Sequence, residues 1–174
     1  EDIIGPRVLT PGGLLVLGGA PKVGKSDFLI SWLVHMAAGV PFLGFTPPRA
    51  LRVFYLQAEI QYHYLRERMQ QISLSPGVIA AARDTFIATP KLKLLLDADG
   101  VTRIVEAIRV AFPDAPPDII VIDPIRNLFD GGPDGGGGGN RVHLCWAAPG
   151  GEAQPHPGPS GPGRCGGRGG RAWS

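Results

Sequence analysis

The sequence predicts an α/β fold built on a parallel sheet, and three observations carry that expectation. Short apolar runs alternate with helical stretches through the first 130 residues. A glycine-rich turn joins the first apolar run to a long apolar segment, and the last run, "IIVID" at 119–123, is four β-branched residues closed by Asp123.

Leu14 to Leu17, bounded by Gly12-Gly13 and Gly18-Gly19, reads as a strand buried on both faces. A helix is expected from about Lys25 to Gly39, where "GVP" stops it. "LRVFYLQA" (51–58) is a second β-rich run, and "YHYLRERMQQI" spaces Tyr62, Leu65, Met69 and Ile72 as a helix does. "TFIAT" (85–89) is a third short strand. "DGVTRIVEAIRVAF" is a helix started by Asp99, with Val101, Ile104, Val105, Ile108 and Phe112 inward. After the turn "PDAPPD" comes the 119–123 strand. No internal repeat is visible.

Composition divides the chain of 174 residues at about residue 130. Residues 131–174 hold 16 of the 26 Gly and 6 of the 18 Pro, so half of those 44 positions are Gly or Pro and few can pack. Residues 1–130 are therefore expected to form the folded body and 131–174 a disordered, low-complexity tail. The body carries 13 Lys and Arg against 13 Asp and Glu, so the formal charge of +2 comes wholly from the tail. A neutral body excludes the basic footprint of a general nucleic-acid binder. Cys145 and Cys165 both lie in the tail, outside any spacing that holds zinc. Phe28 to Phe45 has no Asp, Glu, Lys or Arg, yet Gly39 and Pro41 leave an apolar helix well short of the roughly 20 residues a bilayer requires. No signal peptide is visible, so the cytoplasm is the expected compartment and no membrane partner is expected.

Gly19-Ala20-Pro21-Lys22-Val23-Gly24-Lys25-Ser26 fits G-x-x-x-x-G-K-[ST] at every fixed position. The glycines let backbone N–H groups curl around phosphate oxygens, Lys25 reaches the outer phosphates, and the Ser26 hydroxyl takes a place on Mg²⁺. The helix that follows points its positive end at the same anion. Because the motif lies where a buried strand turns into a helix, its reading is a nucleoside-triphosphate loop with Mg²⁺.

Asp123 alone would read as a strand-ending residue in a turn with Pro124. Paired with the phosphate loop, it is placed to position the metal through a water. Hydrolysis also needs a group that orients water, and Glu59 in "FYLQAEI" is the acidic residue just past another strand. On the residues alone a solvated Glu at a helix start is nearly as good an account. Lys22 and Arg126 are basic loop residues for which solvation is the simpler account. His35 reads as a satisfied core residue, His63 as packed between Tyr62 and Tyr64, and Asp97 and Asp99 as turn and cap residues.

With these segments in order the chain resembles the RecA-like P-loop ATPases, and more narrowly the RepA-type hexameric replicative helicases of plasmids and phages. The matching pieces are "LLVLGGAPKVGKSDFLISWLVHMAAG", "RVFYLQAEIQYHYLRERM" and "PDIIVIDPIRNLFDG", covering most of residues 8–131. The resemblance implies that Glu59 activates water, that Asp123 serves Mg²⁺, and that ATP turnover in a homo-hexameric ring drives movement along single-stranded DNA. It departs just past Asp130. Family members continue with an acidic, Asn-rich loop, a helix, another core strand near paired histidines, and segments that contact DNA and the neighbouring subunit. Here the chain turns to Gly, Pro and Arg instead, and the tail reads as truncated or frameshifted after about residue 131. The family's next strand lies between the P-loop strand and the Asp strand. Only "RVHLCWAA" is apolar enough to replace it, and the gap is expected to stay open. Alternatives are a non-motor ATPase of recombinase or regulatory type, a small-molecule kinase, and an inactive fragment.

Overall fold

The computed structural model describes residues 2–58, 61–89, 96–128 and 141–147; for Tyr62, Arg126, Asn127 and 141–147 only the backbone is described. The described residues form ten elements: β1 (Leu14–Gly19), α1 (Lys25–Ala37), β2 (Val53–Gln57), α2 (Tyr62–Gln71), α3 (Pro76–Ala82), β3 (Phe86–Ala88), α4 (Ala98–Ala111), β4 (Ile119–Asp123), a 3-10 turn (Ile125–Leu128) and β5 (Arg141–Ala147). The strands form one sheet in the order β1-β5-β4-β2-β3. β2 pairs in parallel with β3 and β4, while β5 runs antiparallel to both β1 and β4. β1, β4 and β2 therefore all point their C-terminal ends at one edge of the sheet.

β5 is the departure from expectation. The position between β1 and β4 is occupied by the backbone of 141–147, with Gly19 opposite Arg141, Leu14 opposite Trp146 and Val121 opposite Cys145. An open gap there would leave two interior strands with unpaired N–H and C=O groups, and an extended apolar segment relieves that cost. The result is a mixed sheet with a parallel half, β3-β2-β4.

The sheet has two unequal faces. On the first, α1 buries Leu29, Leu33 and Met36 against Val53, Tyr55, Ile119 and Val121, with Leu65 of α2 and Ala82 of α3 completing the cluster. A helix that is apolar nearly all round can only be a core helix, and α1 is one. It ends where Gly39 takes a left-handed φ of 72°; a Cβ there would meet Ala50 N at 2.9 Å. On the second face α4 covers Phe54 and Leu56, burying Ile104 and Phe112.

Three sequence expectations fail on this second face. β1 is not buried on both sides: its residues alternate, and Leu14 (60% exposed) and Val16 (53%) are open because no described helix lies over that end of the sheet. In α4 the N-cap is Asp97, whose carboxylate accepts from Gly100 N at 2.7 Å, and Asp99 sits in the first turn. The inward stripe runs through Ile104, Ala107, Ile108 and Ala111, so Val101 and Val105 lie on its flank and are exposed. α3 was not anticipated; Ser75 caps it by accepting from Val78 N, and Pro76 opens it.

Candidate nucleotide site

β1 delivers Gly19 to the sheet edge, the chain turns through Ala20–Gly24, and α1 begins at Lys25. Gly24 is the N-cap with φ 80°, a left-handed conformation that disfavours any side chain. No side chain caps α1, in contrast to Ser75 on α3 and Asp97 on α4. Its first-turn N–H groups are thus left to an external acceptor, and with the helix dipole behind them they suit an anion. Lys25 turns inward, its Nζ donating to the carbonyls of Gly19 (2.8 Å) and Ala20. A Cβ on Gly19 would sit 3.3 Å from Lys25 Cδ, so the first motif glycine leaves room for the lysine stem. Ser26 is half-buried in the first turn of α1. Loop and helix end together fit a polyphosphate.

Asp123 ends β4 on the same edge and is 1% exposed. Its Oδ2 accepts from the hydroxyl of Tyr55, two residues back on the neighbouring strand. Gln57 lies directly opposite Asp123 in the parallel register, and Ala58 N donates to Asp123 O at 2.9 Å. Thr89 adds to this buried polar group, its Oγ1 accepting from Gln57 N at 3.1 Å. Ala58 is the residue before Glu59, which lies outside the described residues, as does the side chain of Arg126. Sequence reasoning missed Tyr55 and Gln57; a polar residue closing an otherwise apolar strand was the available signal.

The remaining sequence candidates take up varied positions. Lys22 is exposed at the loop tip with φ 63°. His35 is half-buried on α1, its Nδ1 2.7 Å from Ser31 O and its ring against Phe42, as a core histidine should be. His63 is exposed and packs on Tyr64. Asp118, also missed, sits at the opposite end of β4. There Arg49 grips it with two hydrogen bonds of 2.9 and 2.8 Å, and Arg52 N donates at 2.7 Å. Burial pushes the Asp118 carboxyl up, but the Arg49 hydrogen bonds, the Arg52 backbone bond and the two positive charges outweigh it and hold it below its ordinary value. This cluster ties the 49–52 approach to β2 onto β4 and belongs to the scaffold.

A phosphate loop at the end of one strand and a buried strand-end Asp on the same edge define a P-loop NTPase of the RecA-like class. Residues 1–144 match the AAA domain family, and the chain belongs to it. It is similar to the DNA repair protein RadA of Synechocystis sp. (strain ATCC 27184 / PCC 6803 / Kazusa), at 24% identity over 131 residues, covering 70% of this chain. The chain spans only 22% of that relative's length. No solved structure gives a significant match. Among the described residues no helix is long and apolar enough to cross a membrane.

Proposed function

We propose that residues 1–130 form the ATP-binding and hydrolysing module of a DNA-directed ATPase. The observation that carries this reading is the shared edge: the loop after β1 and Asp123 at the end of β4 lie at the same end of the sheet, where Ala58 N also donates to Asp123 O. The backbone of Gly19, Ala20, Pro21, Lys22, Val23 and Gly24 wraps the phosphates, and Lys25 neutralises them. Ser26 and Asp123 would hold Mg²⁺, which would supply charge neutralisation at the outer phosphates. Glu59 takes the proton of the attacking water.

The work done by this turnover is read as movement along single-stranded DNA in a RepA-like replicative helicase ring. The likeness to a DNA repair protein favours a second reading, a recombinase-type ATPase in which ATP switches assembly on DNA. Calorimetric titration of ATP into the full chain and into Lys25→Ala tests the module: binding should be lost in the variant, and unchanged affinity would count against the whole proposal. Unwinding of a forked duplex then separates motor from switch, since only the helicase reading predicts it. An ATP-bound chain that never turns ATP over would mark this sequence as an inactive fragment.

A further inference from the structure

We propose that Lys22 is a second cation of the nucleotide site, held at the tip of the loop to meet the outermost phosphate of a nucleoside triphosphate. This rests on the ATP reading above and adds to it a residue that the loop pattern leaves unassigned.

The first argument is conformational. Lys22 follows Pro21 in a turn and has φ 63°. Pro followed by a left-handed residue is the type II arrangement, whose second central position is ordinarily glycine, because any Cβ there is strained. This chain uses glycine for the purpose two residues later, at Gly24, and again at Gly12, Gly39 and Gly44. A lysine in such a slot is held against its own preference, and strain of this kind gathers where a side chain is used. Of the other described non-glycine residues in this conformation, Arg7 has its N–H donating to Asp2 Oδ2 at 2.7 Å, and Leu43 sits with Gly44 in a tight turn closed by the Phe42–Phe45 backbone bonds. Lys22 is exposed, and among the described residues it makes no hydrogen bond or ion pair through its side chain.

The second argument is electrostatic. The Lys25 ammonium has three donors and places two of them on the carbonyls of Gly19 and Ala20, which leaves one for a ligand. Even with Mg²⁺ bound, a triphosphate keeps more negative charge than one further donor meets. Lys22 and Lys25 are the two basic residues between Arg7 and Arg49 in the sequence, and Arg68, whose Nε lies 3.3 Å from Asp27 Oδ1 beside the start of α1, is already paired, so among the described side chains Lys22 is the exposed cation on the loop itself. Lys25 braces the loop from inside while Lys22 reaches from its tip, and the charge it answers is the one that distinguishes ATP from ADP.

The test is calorimetric titration of Mg-ATP and of Mg-ADP into the full chain and into Lys22→Gly, Lys22→Asn and Lys22→Arg, with melting temperatures recorded alongside. Glycine and asparagine both suit a left-handed backbone, so those variants should melt no lower than the parent. They should nevertheless lose about tenfold in ATP affinity while ADP affinity moves less than about twofold. Lys22→Arg keeps the charge and should keep the parent's preference for ATP. An unchanged ATP to ADP ratio in Lys22→Gly overturns the proposal, as does an equal loss for both nucleotides accompanied by a lower melting temperature, which would mean that Lys22 only shapes the loop. Lys25→Ala is the control: if it too binds ATP as the parent does, the nucleotide reading fails, and not the role of Lys22 alone.

Discussion

Across the β2–β4 pair, the hydroxyl of Tyr55 donates to Oδ2 of Asp123, so the carboxylate at the candidate metal position is oriented by its neighbouring strand from within the first core. Parallel pairing makes this possible: Tyr55 sits opposite Val121, and residues two apart share a face, which brings residue 123 over residue 55.

Tyr55→Phe removes this hydrogen bond without changing the shape of the core. Urea unfolding at neutral pH should show a loss of about 2 kcal/mol, the usual size for a hydrogen bond to a charged group. A loss within error would mean that Asp123 draws its orientation from its other neighbours.

Asp123→Asn keeps an oxygen that accepts from Tyr55 but removes the charge. ATP titrations with Mg²⁺ and with chelator should differ for the parent chain and converge in the variant. A persisting Mg²⁺ dependence would move the metal position to another residue.

Glu59→Gln should bind ATP as the parent does and release no phosphate above background in a steady-state assay, because the amide cannot take a proton from water. Turnover at the parent rate would place the base elsewhere.

Asp118 sets a pH dependence. Its folded-state carboxyl lies below the ordinary value, so its clamp contributes stability above the unfolded-state pKa, and that contribution is lost as pH falls through the lower folded-state value. Arg49→Ala should cost about 2 kcal/mol at pH 7, since it leaves a buried carboxylate with fewer donors. The gap between variant and parent should close in acid, where both carry a protonated Asp118. A gap that is constant with pH would assign the loss to packing of the arginine stem.

Leu43 offers a stabilising change. Phe42 and Phe45 bond to each other around Leu43 (φ 48°) and Gly44 (φ 86°), the arrangement that favours Asn-Gly. Leu43 is also 73% exposed, so its side chain gains little from packing. Leu43→Asn should raise stability by about 0.5–1 kcal/mol, read as a higher urea midpoint at unchanged slope.

The local devices of this protein were legible in the sequence. The eight residues of the phosphate loop, the helix that runs from Lys25 toward Gly39, and the strand ending at Asp123 are each encoded by neighbours within a few positions, through glycine conformation, hydrophobic period and β-branching. Tertiary contacts decided the rest. The partnership of Tyr55 with Asp123 joins residues 68 positions apart, and the clamp of Arg49 on Asp118 joins residues 69 apart. Neither leaves a periodic trace. The rotation that exposes Val101 and Val105 depends on where α4 meets the sheet, which its own amphipathic pattern leaves open by a fraction of a turn. β5 shows the limit most clearly. Its residues lie in a segment whose composition argues against packing, yet they occupy the middle of the sheet, because backbone groups left unpaired between β1 and β4 are satisfied by any strand that can reach them.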